Sequence, residues 1–190
     1  QIAAFLPADI ELTVLSNQAN FIEGSISDLK QTALLGGLLA IAVLFAFLGR
    51  LSYTLIVALS IPFSIAATFA PMYIGGTSMN IMSLGGLALG IGMLVDSSIV
   101  VLEAIFRRHE LGAGPLEAAA EGASEVAGAV TASTLTTIAV FFPIVFVEGI
   151  AGQIFKDQAL TVVYSLLASL VASLTLIPML AARIGRLEGY

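Results

Sequence analysis

A bundle of membrane-spanning helices is the fold class this sequence predicts, on three observations. Hydrophobic residues fill 58% of its 190 positions and charged residues only 11%, against about 25% charged in a soluble domain. The charges are gathered at a few places, leaving uncharged runs of 19 residues at Gln31–Gly49, 45 at Leu51–Val95, 22 at Val126–Val147 and 25 at Gln158–Ala182. About 20 apolar residues cross a bilayer as helix, so these runs hold five spans. The basic residues then divide by side: Arg50, Arg107, Arg108, Arg183 and Arg186 fall on one face of the membrane, Lys30 and Lys156 on the other. That bias puts the N-terminal segment outside the cell membrane and the C-terminus in the cytoplasm.

Residues 1–30 form the one sizeable polar stretch at the front. Ile10–Leu15 alternates well enough for a short strand, and Phe21–Lys30 has the apolar spacing of an amphipathic lead-in helix. A lone strand needs partners, so this stretch is expected to be the end of a soluble domain of which the rest lies elsewhere. The chain begins without Met and has no basic region before a cleavage site, so it is expected to be a piece of a longer polypeptide. Residues 31–190 are the transmembrane domain, with spans near 31–48, 52–73, 79–105, 129–147 and 160–182. The second and third spans are parted by the turn signal Gly75-Gly76-Thr77-Ser78. Prolines fall inside the spans at Pro62, Pro71, Pro143 and Pro178, each an invitation to kink.

Between the third and fourth spans, Pro115 suits the first position of a helix, and Glu117, Glu121 and Glu125 recur every fourth residue. A short helix near 115–127, lying along the cytoplasmic interface with a hydrated acidic stripe, is expected. No His or Asp completes a metal shell around these glutamates. The fourth span opens with hydroxyls, of which Thr134 and Thr137 are candidates to line a water path, against the competing reading that they bond to their own backbone. The last span carries Ser165, Ser169 and Ser173 at four-residue intervals, a stripe for close helix packing. Five methionines are present, and packing is favoured over a soft-metal role for them. The absence of cysteine excludes disulfides and thiolate metal sites. No nucleophile–base pair, phosphate-cradling loop or basic nucleic-acid patch appears, so no enzymatic activity, cofactor, metal or nucleic-acid partner is expected; the partner is the lipid bilayer.

The third span holds the residue around which the chain is organised. Asp96 lies eleven residues before Arg107, about 16 Å along a helix, which sets it near the middle of a hydrocarbon slab about 30 Å thick. A carboxylate there is costly unless paired, wetted or protonated, and points to a task. The alternative is a polar staple between two helices. Gly86 and Gly90 form a small-xxx-small pair that admits a close neighbour. These glycines and the Ser165–Ser173 stripe are expected to need partner helices, some of them outside this chain.

Gly85–Ala104, a glycine-rich half leading into Leu-Val-Asp and then Ile-Val-Val-Leu-Glu, resembles the fourth transmembrane helix of resistance–nodulation–division (RND) efflux pumps. Further resemblances follow in order: Pro115-Leu-Glu-Ala-Ala, Ala139-Val-Phe-Phe-Pro, Glu148-Gly-Ile-Ala-Gly and Thr175-Leu-Ile-Pro-Met-Leu. The resemblance implies an all-α membrane protein: helices two to six of an RND-type half bundle, after a short remnant of an α+β porter domain. It implies a multi-pass protein of the bacterial inner membrane, exporting substrate at the expense of proton influx. Asp96 would carry the proton relay, with Ser97 where many drug pumps have a second aspartate. Glu103, seven residues on, would mark the proton exit or serve as an interfacial carboxylate near Arg107. The implied partners are the second half of the same permease, further copies in a homotrimer, a periplasmic adaptor and an outer-membrane channel. Two other readings stand beside it: a protein-export auxiliary or sterol-sensing relative of the same fold, and a scaffold fragment that transports nothing.

Overall fold

The computed structural model describes residues 18–48 and 51–187, and among these all regular structure is helical. The expected strand Ile10–Leu15 lies outside the described residues. Five α-helices follow in order: α1 (Gln18–Leu48), α2 (Leu51–Ile74), α3 (Ile81–Glu110), α4 (Pro115–Phe141) and α5 (Ile150–Leu187), with a 3₁₀ turn over Phe142–Phe146. Four stretches, Leu51–Ile74, Ile81–Glu110, Pro115–Phe146 and Ile150–Gly185, are long and apolar enough to cross a membrane, and α1 adds the shorter apolar run Leu34–Val43.

The ends of the helices follow from local chemistry. At the end of α2, Gly76 takes φ +67°, and the amides of Gly76 and Thr77 close on the carbonyls of Tyr73 and Met72. This is a glycine-terminated helix end of the Schellman type, at the turn the sequence marks. The same geometry ends α3, where Gly112 has φ +94° and Ala113 N–H reaches the Arg108 carbonyl. Asn80 begins α3: its side-chain oxygen accepts from Met82 N and Ser83 N, both at 2.9 Å, while Ser83 Oγ accepts from Asn80 N at 2.8 Å. That reciprocal box satisfies donors that would otherwise be orphaned. Pro143 sits where α4 tightens into the 3₁₀ turn, since a proline cannot continue the ladder of a helix. Pro62, Pro71 and Pro178 are carried inside helices.

Two boundaries differ from the sequence reading. The lead-in helix and the first span are one helix, α1, running through Lys30. The separate interfacial helix near 115–127 does not occur either, because Pro115–Phe141 is a single helix. Two of the three glutamates of its exposed acidic stripe are paired with α3. Arg108 reaches Glu121 Oε2 and Glu125 Oε2, each at 3.1 Å, and Arg107 also pairs with Glu125.

Packing centres on α3 and α5, which lie against each other along most of their length, with α2 and α4 on their flanks and, among the described residues, α1 against α2 and α3. The main core joins Tyr53 and Val57 of α2, Val101, Leu102 and Ile105 of α3, Ala119 and Val130 of α4, and Ile177 and Ala181 of α5. Tyr53 also meets Phe106 edge-on at 5.2 Å. A smaller cluster toward the Asn80 end joins Met72, Leu84 and Leu87, so Met72 is a packing residue.

The α3–α5 seam is where the two small-residue stripes meet. A Cβ on Gly86 would lie 2.6 Å from the Gln158 carbonyl oxygen and 2.9 Å from Thr161 Cβ, and one on Gly90 would lie 2.8 Å from Ser165 Cβ. Ser169 donates from Oγ to the Leu94 carbonyl at 2.9 Å. Both stripes thus find packing partners within the chain, Gly90 against Ser165 and Gly86 against Gln158 and Thr161, and Ser165, Ser169 and Ser173 are buried. A second close crossing sets Gly122 of α4 on the backbone of Ile105.

Candidate functional site: the Asp96 cavity

Asp96 occupies the midpoint of α3, sixteen residues past its Asn80 cap. A helix turns about 100° per residue, so Asp96 stands well around the circumference from the Gly86–Gly90 seam. The side of α3 that carries it therefore cannot pack on α5. It opens instead on a cavity of 960 Å³ between α1 and α3, bounded by Thr32, Gly36 and Gly37 of α1, Ile61 of α2, and Asp96, Glu103, Arg107 and Glu110 of α3. Gly36 and Gly37 leave the α1 wall low, as nothing lies within 4 Å of a Cβ on either.

Seven residues separate Asp96 from Glu103, two turns that bring the second carboxylate back to within about 20° of the first. Arg107 follows one turn later and Glu110 nearly another. The cavity wall is thus a stripe of ionisable groups that begins in an otherwise apolar helix and ends at the charged Arg107 end. Among the described residues, no ion pair involves Asp96 or Glu103.

The clasp at the Arg107 end shapes its own titration. Glu125 directly precedes the 22-residue uncharged run of α4. Its carboxyl is held below the ordinary value of 4.5, chiefly by the hydrogen bond from Arg108, with some desolvation opposing and Arg107 adding to the lowering.

Of the other candidate residues, Ser97 does not line the cavity. Thr134 and Thr137 lie on α4, outside the cavity lining, and donate to the carbonyls four residues back, Val130 at 2.9 Å and Ser133 at 3.1 Å. Both therefore adopt the backbone-bonded arrangement. At the other end of α3, a cluster that the sequence reading missed joins the cap to α5. The Asp157 carboxylate accepts from Asn80 Nδ2 and, at 3.2 Å, from Ser78 Oγ. One amide thus caps α3 with its oxygen and binds α5 with its nitrogen. Seventy-seven residues separate the partners, and no local pattern links them.

Four long apolar helices packed around small-residue crossings define a multi-pass membrane protein segment. The chain belongs to the AcrB/AcrD/AcrF family, whose model matches residues 1–187, and is thus a segment of an RND-type permease. It is similar to the multidrug resistance protein MdtC of Pectobacterium carotovorum subsp. carotovorum (strain PC1), 40% identical over 186 residues that are 98% of this chain and 18% of that protein. MdtC of Yersinia enterocolitica serotype O:8 / biotype 1B is 37% identical over 187 residues, again 98% of this chain and 18% of the relative. For MdtC of Salmonella arizonae the identity is 38% over 180 residues, 95% of this chain and 18% of the relative. The chain therefore spans under a fifth of the length of the curated relatives it matches.

Proposed function

We propose that this chain is the first-half transmembrane part of a proton-driven efflux permease of the inner membrane, with Asp96 as the group that takes up and releases the coupling proton. The observation that carries the reading is the position of Asp96: mid-helix, on a cavity, facing away from the packed seam and outside every ion pair among the described residues. A carboxyl group can carry a proton as the neutral acid and release it as the anion. Alternation between those two forms is what a proton-coupled transporter requires. Glu103 is the next acceptor toward the cytoplasm, and Ser97 flanks the relay without carrying its charge. In this reading residues 1–30 close a porter domain, residues 31–190 belong to the membrane, the N-terminal segment is periplasmic and the C-terminus cytoplasmic. The second half of the permease, further copies in a trimer, an adaptor and an outer-membrane channel complete the machine. Membership of the family favours this over a sterol-sensing relative or an inert scaffold. The names of the relatives favour organic drug-like substrates over metals.

The test is Asp96→Asn in the full-length permease. It is expected to abolish proton-coupled efflux while expression and assembly stay near normal, and Ser97→Ala is expected to be mild. Wild-type pumping by Asp96→Asn would move the coupling site elsewhere.

A further inference from the structure

Arg107 belongs to two places at once. It lines the Asp96 cavity, and its guanidinium is bonded across the helix crossing to Glu125 of α4. Glu103 stands four residues before it on the same helix, the Glu-before-cation spacing that favours an ion pair on a helix surface. Yet the cation is drawn the other way. Glu125 accepts from Arg107 with one oxygen and from Arg108 Nε with the other, at 3.1 Å, and Arg108 is held further by Glu121 at 3.1 Å. Arg107 remains 61% exposed in its side chain, so its long stem is free to swing.

We propose that Arg107 is a cation with two positions at the inner mouth of the Asp96 cavity, and that Glu125 is the positioning residue that holds it away from Glu103. The inference rests on the proton-relay reading given above. With Arg107 on Glu125, the Glu103 carboxylate is free to accept the proton leaving Asp96 and pass it to the cytoplasm. With Arg107 on Glu103, that carboxylate is fixed as an anion and the exit is shut. Asp96 loses a proton, Glu103 gains and then loses it, and Arg107 stays charged throughout. Two turns of helix, about 10 Å, separate the two carboxylates, so water must bridge them. The charged groups that share the cavity and its mouth with Glu103 are few. On α3 they are Asp96, Arg107 and Glu110, and α4 acts through Glu125. Thr32 of α1 and Ile61 of α2, on the remaining walls, carry no charge. Glu110, three residues past Arg107, is a second carboxylate on that wall within its reach.

The experiment is an infrared pH titration of the full-length permease in its membrane-reconstituted form, needing no substrate, with the Glu103 carboxyl band identified by its loss in Glu103→Gln. Glu125→Gln is expected to lower the Glu103 midpoint by at least one pH unit, a tenfold change in proton affinity, because the freed Arg107 favours the charged form. Glu125→Gln/Arg107→Gln is expected to return the midpoint to the wild-type value, although the clasp is equally broken. Glu125→Asp, which draws the carboxylate back by one methylene, is expected to give a smaller shift of the same sign, and it decides the matter if Glu125→Gln fails to accumulate. An unchanged midpoint in the single variants overturns the proposal. A shift that persists in the double variant also overturns it, since the clasp would then act on Glu103 through structure alone. Failure of the underlying relay reads separately: Asp96→Asn would pump normally whatever the Glu103 band does.

Discussion

Adding one methyl group at Gly86 tests the α3–α5 seam most directly. The new Cβ would stand 2.6 Å from the Gln158 carbonyl oxygen and 2.9 Å from Thr161 Cβ. Ordinary contact lies at about 3.5–4.0 Å, so the helices must part by roughly 0.6–1 Å. A gap of that size forfeits about a quarter to a half of each contact's well of about 0.1–0.2 kcal/mol. Taking about 40 atom pairs at the crossing, as one buried Leu makes, the loss is about 2 kcal/mol. The neighbouring Gly85 is an internal control, because nothing lies within 4 Å of a Cβ there. Alanine at either site gains the same helix propensity, up to about 1 kcal/mol over glycine, so the difference between the variants isolates the seam. Thermal unfolding of the detergent-purified chain should place Gly86→Ala about 4–8 °C below Gly85→Ala, at roughly 2–4 °C per kcal/mol for a chain of this size. Equal midpoints, or a lower one for Gly85→Ala, would refute the seam as the source of this packing.

Further outcomes are expected elsewhere in the bundle. Ser169→Ala removes the hydroxyl that reaches the Leu94 carbonyl and should cost about 0.6 kcal/mol in the same assay. Ser173→Ala should cost nearly nothing, since that hydroxyl bonds only to its own Leu170 carbonyl, at 3.0 Å. Asn80→Ala strips the cap from two amides and should cost about 1 kcal/mol. Asn80→Asp keeps the cap but sets a second carboxylate against Asp157, so its stability should be poor at neutral pH and recover as pH falls through the carboxylate range. Cysteines placed singly in the cysteine-free chain at exposed Ser27 and Leu111 should label from outside and only after permeabilisation, respectively. Leu111 is preferred to Gly112, whose φ of +94° would strain any side chain. The reverse labelling would invert the orientation.

The sequence makes the spans legible because charge is costly in lipid: the uncharged runs mark α2, α3 and α5, and the glycine pair at 75–76 marks the break between the first two. Asp96 stands out for the same reason, one carboxylate in an apolar helix. Periodicity also tells which face of a helix carries small residues, but it is silent on what lies opposite. Gly86 could not be matched to Gln158 and Thr161, nor Gly90 to Ser165, from spacing alone. The acidic stripe of α4 is exposed, as its spacing predicts, but its partners were hidden for a related reason. Glu121 and Glu125 form a hydrated face that also takes Arg107 and Arg108 from another helix, at a crossing made close by Gly122, and spacing along α4 alone does not show that. Asn80 and Asp157 were invisible together because each reads as ordinary polarity at the end of an apolar run.

The double use of the Asn80 amide gives α3 a steering arm. Asn80 stands sixteen residues from Asp96, about 24 Å along the axis, and Asp157 holds the amide that defines where the first turn of α3 begins. A helix transmits rotation along its axis far better than it bends. With side chains extending about 5–6 Å from the axis, turning that first turn by 20° would swing the distant carboxylate by about 2 Å, enough to make or break a hydrogen bond. The azimuth of Asp96 is therefore set partly from the far end of α3, by a polar contact that never touches the cavity.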